Sequence, residues 1–222
     1  MVKFKKLFLA FSLLFAIGAN AISEGKEYIK LPSNAEFKDA SNSVIEIFSY
    51  SCIHCYNHFK AGTLKFVSEM LPDLKYDEWQ VRQMGEYGFE MSEVLGYAKS
   101  LDDKNGLSTL SAKSNFHQVL KGFFEDAFVS KKRYKNAQEF YQRAVNILQS
   151  NGVKDSSVEN ILKYINSQEG KAYAKLTDQA LEVAKISGTP GFVVNGKYLI
   201  NIEYVNSQEE LVEIISEIVK LK

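Results

Sequence analysis

The 222-residue chain has little of several things: two cysteines, three prolines, one tryptophan and three histidines, with 27 basic side chains balanced by 27 acidic ones. A formal net charge of zero gives no electrostatic reason to expect nucleic acid or an anionic membrane as a partner. It equally gives little charge bias toward any one protein. No internal repeat or low-complexity tract is present, and beyond residue 21 no run is long and apolar enough to span a bilayer. What is there is a 45% hydrophobic chain of a length that suits one domain, or one domain with a large insertion.

The first 21 residues differ from the rest. Lys3, Lys5 and Lys6 make a positive start, residues 7–17 are an almost unbroken apolar run, and Ala19-Asn20-Ala21 places small residues where a signal peptidase reads. This is the three-part pattern of a cleaved secretory signal, with the cut expected after Ala21. An uncleaved anchor is the alternative, but the apolar run falls short of the ~20 residues a spanning helix needs. No cysteine stands at the cleavage point, which argues against a lipoprotein.

Export makes the cysteines unusual. In an oxidising compartment cysteines usually bridge distant parts of a chain. Cys52 and Cys55 are only three apart and cannot staple a fold. Chance would place two cysteines at this spacing about once in a hundred chains of this length, so the pair itself is the feature to explain.

Residues 28–31 suit a short edge strand, and residues 44–50 (Val-Ile-Glu-Ile-Phe-Ser-Tyr) a strand buried on both faces. From residue 53 to 71 the pattern turns helical until Pro72 stops it, and residues 75–81 resemble a second buried strand. The β-α-β order implies parallel strands joined by a right-handed crossover. Residues 85–176 contain no proline and several helical repeats, such as Phe116, Val119, Leu120, Phe123 and Phe124. Gly106, Asn151-Gly152 and Gly170 mark expected breaks in this helical segment. Strand character returns after Pro190, where Asn195-Gly196 between two β-rich triplets is a hairpin signal. A capping box at Ser207 and Glu210 opens a last amphipathic helix bearing Leu211, Ile214, Ile215 and Ile218.

Cys52-Ile53-His54-Cys55 falls at the junction of strand and helix. A sulfur at a helix N-terminus meets unpaired backbone N–H groups and the positive end of the macrodipole. These favour the thiolate, the form that attacks disulfides. His54, protonated or donating, is expected to add a contact to the same sulfur, and Cys55, one turn inside, is the buried resolving thiol. A stabilised thiolate is a good leaving group, so such a pair tends to hand its disulfide on. Half of a metal site is the alternative, with His58 and His117 as the remaining ligands. Their spacing does not match the usual zinc patterns, and both histidines are expected to be packing or surface residues. No metal or other cofactor is expected.

Glu46 is the second anomaly, an ionisable residue inside an apolar strand six residues before Cys52. It is expected either at a sheet edge or, preferentially, beneath the cysteines, taking and returning the proton of Cys55. Thr189-Pro190-Gly191 is the third. A cis bond before Pro190 would free the Thr189 backbone to pair with an extended peptide.

The sequence resembles the DsbA family of bacterial disulfide oxidoreductases over nearly the whole mature chain. Gly25-Lys-Glu-Tyr28 is similar to that family's mature start and residues 46–55 to its active-site segment. Val81-Arg-Gln-Met-Gly85 resembles the strand exit before its helical insertion, and residues 189–198 its cis-proline loop and hairpin. The resemblance implies a thioredoxin-like α/β fold with an inserted all-helical domain. Its parts would be a signal at 1–21, thioredoxin-like portions at 22–84 and 177–222, and the insertion at 85–176. It implies a periplasmic monomer with Cys52 as the exposed nucleophile and Cys52, His54, Cys55 and Glu46 as the catalytic set. Ile53, Thr189 and Pro190 would touch substrate. The implied partners are exported proteins still folding and a quinone-linked membrane oxidase of the DsbB type that regenerates the disulfide. Three positions depart from the family pattern. Ile53 replaces a common proline, Thr189 a common valine, and Glu78 stands where a lysine partner to the buried carboxylate is expected. The readings left open beside an oxidase are an isomerase or reductase of the same superfamily, and a peptide-binding chaperone whose cysteines are incidental.

Overall fold

The computed structural model describes residues 22–221, so the signal sequence and its cleavage point lie outside the described residues. Five strands form one sheet: β1 (Tyr28–Lys30), β2 (Ser43–Phe48), β3 (Lys75–Gln80), β4 (Gly191–Val194) and β5 (Tyr198–Ile200), in the order β1-β5-β4-β2-β3. β2 and β3 run parallel, and every other pairing is antiparallel. All six residues of β2 are buried. That fits its place between β4 and β3, where both faces are covered and the alternation of an edge strand is lost. Glu46 therefore sits on an interior strand and not at an edge.

The helix expected over residues 53–71 is two helices, α1 (Ile53–Ala61) and α2 (Thr63–Met70). The divider is Gly62, at φ 64 and ψ 34, a left-handed conformation that glycine adopts without the steric cost of a side chain. The apolar pattern runs through the break, which is why periodicity alone misses it. β2 ends at Phe48, two residues before the expected end, and residues 49–51 turn the chain toward α1.

Five helices follow: α3 (Gly88–Lys104), α4 (Asn115–Phe128), α5 (Ala137–Ser150), α6 (Val158–Asn166) and α7 (Gln168–Asp178). Phe116, Val119, Leu120, Phe123 and Phe124 of α4 pack with Phe140, Ala144 and Leu148 of α5 and with Met91, Val94 and Leu95 of α3. Breaks fall after α3 at Gly106 and after α5 at Asn151-Gly152, but not at Gly170, which lies in the first turn of α7. A Cβ there would collide with the Tyr164 carbonyl oxygen, so this glycine serves close backbone approach and not helix termination. The α6–α7 break is made by Ser167, whose Oγ accepts from Gly170 N. Residue 176, the expected end of the insertion, lies inside α7.

A buried carboxylate orders one end of this bundle. Asp102 Oδ1 accepts from Asn115 N and Nδ2 at 2.8 and 2.9 Å, and Oδ2 accepts from Phe116 N at 2.8 Å. It fills the N–H groups that α4 leaves unpaired at its start. Asp102→Ala should cost about 2–3 kcal/mol, because it strands buried donors that had an ionic acceptor. A urea midpoint that moves down at unchanged slope is the expected result.

α8 (Ala180–Ser187) returns the chain to the sheet, with Ala180 and Val183 on Ile45, Ile47 and Val193. The Asn195-Gly196 turn has φ 54 and 69 as its type requires, and Lys197 N closes it onto Val194 O at 3.1 Å. α9 (Gln208–Val219) begins with Ser207 Oγ accepting from Glu210 N, and its Leu211, Ile214, Ile215 and Ile218 cover the opposite face of the sheet with Leu64 and Val67 of α2. Among the described residues no helix is long and apolar enough to cross a membrane.

Candidate active site

Cys52 is the N-cap of α1, with φ −97 and ψ 119. Its position is set from both sides. Cys52 N donates to Ser49 O at 3.0 Å, and Tyr50 N donates to Gln80 Oε1 at 2.8 Å, while Gln80 Nε2 holds Val81 O at 2.7 Å. Gln80 is fully buried and ties the end of β3 to the turn that presents the sulfur. Tyr50 OH accepts from Tyr87 N at 2.9 Å, which fixes the start of α3 to the same turn.

Cys52 Sγ accepts from Cys55 N at 3.4 Å and, as a thiol, donates to Thr189 O at 3.2 Å. The thiolate cannot donate to that carbonyl, so the anion depends on other partners. The largest is the Cys55 thiol, and the Thr189 side chain and the backbone N–H groups of Cys55 and His54 add to it. Burial opposes them and loses, and the Cys52 pKa falls from 9.0 to about 5. Cys55 moves the opposite way. Only 1% exposed, it is pushed well up, first by burial and then by donating its proton to Cys52. One thiol proton thus serves two sulfurs, anionic outside and neutral inside.

The other expected site residues divide. The Thr189–Pro190 peptide is cis, with Thr189 half-buried and its carbonyl facing Cys52. Ile53, the first residue of α1, is 46% exposed beside the sulfur. His54 is exposed, and its contribution to Cys52 comes through its backbone N–H and not through the imidazole. The reason is geometric: a side chain two residues past the N-cap projects outward from the helix, whereas its N–H points back along the axis at the cap. His58 lies against Phe192, with ring centroids 5.6 Å apart, and His117 stacks on Phe59 at 4.6 Å. Both histidines are held in apolar surroundings that lower their basicity.

Glu46 is 7% exposed and pairs in register with Phe192 on β4 and Glu78 on β3. Burial pushes its pKa well up, helped by the charges of Glu78 and Cys52, and its own charge acts on Cys55. Its register partner Phe192 shares its face of the sheet and meets His58 of α1, so Glu46 lies on the face that α1 covers. Glu78, 8% exposed, is pushed up to about 8 by burial and by Asp77. The departure noted in the sequence is thus a direct neighbour of Glu46. Nothing in the sequence marks Gln80 or Asp102. Their partners lie 30 and 13 residues away, and no local pattern marks them.

No family model matches the chain. Among curated proteins it is 30% identical over 216 residues to the thiol:disulfide interchange protein DsbL of Escherichia coli O6:H1, covering 97% of this chain and 95% of that one. It is 28% identical over 228 residues to the thiol:disulfide interchange protein DsbA of Dickeya dadantii, covering 97% of each chain. Among solved structures it superposes on Salmonella enterica serovar Typhimurium DsbL with a TM-score of 0.81 at 28% identity, covering 91% of this chain and 99% of that one. A structure of reduced DsbL gives a TM-score of 0.80 at 26% identity, covering 90% and 100%.

Proposed function

Since the chain belongs to the DsbA family of thiol:disulfide interchange proteins, DsbL proteins among them, we propose that it runs exchange in the oxidising direction, donating a Cys52–Cys55 disulfide to exported proteins. Its class is protein thiol–disulfide oxidoreductase, on a thioredoxin-like fold with a helical insert.

The direction rests on one observation, Cys52 at the N-cap of α1 with the Cys55 N–H donating to its sulfur at 3.4 Å, an arrangement that brings its pKa down to about 5. A disulfide exchanges with whichever partner leaves the more stable thiolate. Lowering the pKa of one cysteine stabilises the dithiol form at neutral pH and leaves the disulfide form untouched. The disulfide is then the high-energy member of the couple.

In the proposed cycle a substrate thiolate attacks Cys52, the sulfur at the exposed end of the pair. The substrate becomes linked to Cys52 and Cys55 departs. A second substrate thiol then displaces Cys52 as a thiolate. The Thr189 backbone beside the cis bond gives an extended substrate a strand edge to pair with, and exposed Ile53 gives it apolar contact. Glu46, beneath the pair, supplies a proton to Cys55. The export pattern of residues 1–21 supports work in the periplasm, where a quinone-linked membrane oxidase of the DsbB type would restore the disulfide of the monomer.

Thr189 favours one second reading. A threonine at this position also occurs in isomerases of the superfamily, which work from the dithiol form. Alkylation of the protein in living cells followed by a gel shift separates the two. We expect mostly disulfide. Mostly dithiol would reject the oxidase and leave the isomerase.

A further inference from the structure

Two buried acids are neighbours on β2 and β3, and the proposed cycle uses one. Glu46 and Glu78 are register partners on parallel strands, so their side chains leave the sheet on the same face. The groups facing them are Cys52 and Cys55 from α1, Asp77 beside Glu78 on β3, Thr109 from the segment after α3 and the neutral phenol of Tyr173 from α7, while β4 offers the apolar ring of Phe192. None is a cation, and among the described residues neither glutamate forms an ion pair. Adjacent carboxylates removed from water with no counter-charge do not both ionise, because each charge disfavours the other.

We propose that Glu78 is a positioning residue for the exchange reaction: with Glu46 it retains a proton in common, and that proton is the one Cys55 takes as it leaves. This rests on the oxidase reading and deepens it. The substrate thiolate forms a bond to Cys52 Sγ, the Cys52–Cys55 bond breaks, and its electron pair leaves on Cys55 Sγ. A proton passes from the carboxyl pair to that sulfur, and solvent later returns one to the pair. When the second substrate thiolate displaces Cys52, two substrate electrons have been taken up, as one thiolate and one thiol. Burial holds both carboxyls above their ordinary range, the charge of Glu78 adding to it at Glu46 and that of Asp77 bringing Glu78 to about 8, and burial raises the Cys55 thiol in the same direction. A lysine at position 78 would do the reverse and fix Glu46 as a carboxylate with no proton to give.

The test uses the full mature chain and the variants Glu78→Gln, Glu78→Lys and Glu46→Gln. Infrared spectra across pH follow the C=O stretch of a protonated buried carboxyl. Stopped-flow single turnovers with a dithiol peptide follow the departure of Cys55. Taking the ratio of variant to wild type at each pH removes the peptide's own ionisation. We expect the wild-type band to persist at neutral pH. In Glu78→Gln the remaining carboxyl should titrate about one pH unit lower or more. The alkaline limb of the rate should follow it, about tenfold slower for each pH unit by which the midpoint falls. Glu78→Lys should lose the band at neutral pH. The shared proton is overturned if the wild type shows no protonated carboxyl at neutral pH, or if Glu78→Gln leaves both midpoint and limb in place. The spectrum of the wild type reads the pair whether or not any variant folds or any substrate is oxidised. A protein with the shared proton but no exchange activity would overturn the oxidase reading alone.

Discussion

Cys52→Ala should abolish disulfide transfer to a reduced substrate, a loss on the order of a thousandfold or more, because it removes the nucleophile on which every step depends. Cys55→Ala should do something different and more informative. Cys52 can still form a mixed disulfide, but no second sulfur stands one turn inside the helix to release it. Substrates should therefore accumulate on the protein as adducts that reductant dissolves on a gel. The same variant should lose the largest contributor to the Cys52 thiolate, the Cys55 S–H, while keeping the N–H groups of residues 54 and 55. Thiolate absorbance should then titrate above pH 5, toward but not reaching that of a free thiol. A chaperone with incidental cysteines predicts neither the loss nor the adducts. Intact function in Cys52→Ala would reject the mechanism outright.

The parts of this site that are local in the chain are legible in the sequence, and the parts that depend on distant residues are not. β2 and the Asn195-Gly196 hairpin announce themselves because burial and left-handed turns restrict residue type at adjacent positions. α9 does so through Ser207 and its apolar spacing. The cysteine pair is legible for the same reason, since a helix N-terminus and a three-residue spacing are local facts. The break at Gly62 is hidden because the apolar face of α1 continues into α2. Gly170 misleads because glycine signals both termination and close approach, and only the carbonyl of Tyr164 decides between them.

The contact of Cys52 with Thr189 spans 137 residues and is foreshadowed in the sequence only through family resemblance. Glu46 shows the boundary most clearly. Its oddity within an apolar strand is plain from residues 44–48, yet its meaning depends on which residue of β3 lies beside it. Family resemblance points to Glu78 at that position, and the register of the parallel pair fixes it as the neighbour. For His54 the residue type suggests an imidazole contact, and the helix geometry replaces it with a backbone one.

The dithiol protein should gain stability over the disulfide protein as pH rises from 5 to 9, and this gap is the thermodynamic form of the oxidising tendency. Cys52 is an acid whose folded pKa, about 5, lies below the 9.0 of an ordinary thiol. Its contribution is absent below pH 5, grows as the folded sulfur ionises while the unfolded one stays protonated, and is complete above pH 9. At pH 7 it is half developed. Because the sulfur is only half-buried, solvent screening reduces its worth there to about 1–3 kcal/mol. For a two-electron couple that corresponds to about 20–60 mV of added oxidising power. The buried carboxyls titrate in both redox forms and cancel in the difference, except that their repulsion by the Cys52 thiolate flattens the slope. Urea unfolding of the two forms at intervals from pH 4 to 9 measures the gap directly. Curves that stay parallel over that range would mean the sulfur is not held as an anion, and the disulfide would then have no reason to leave.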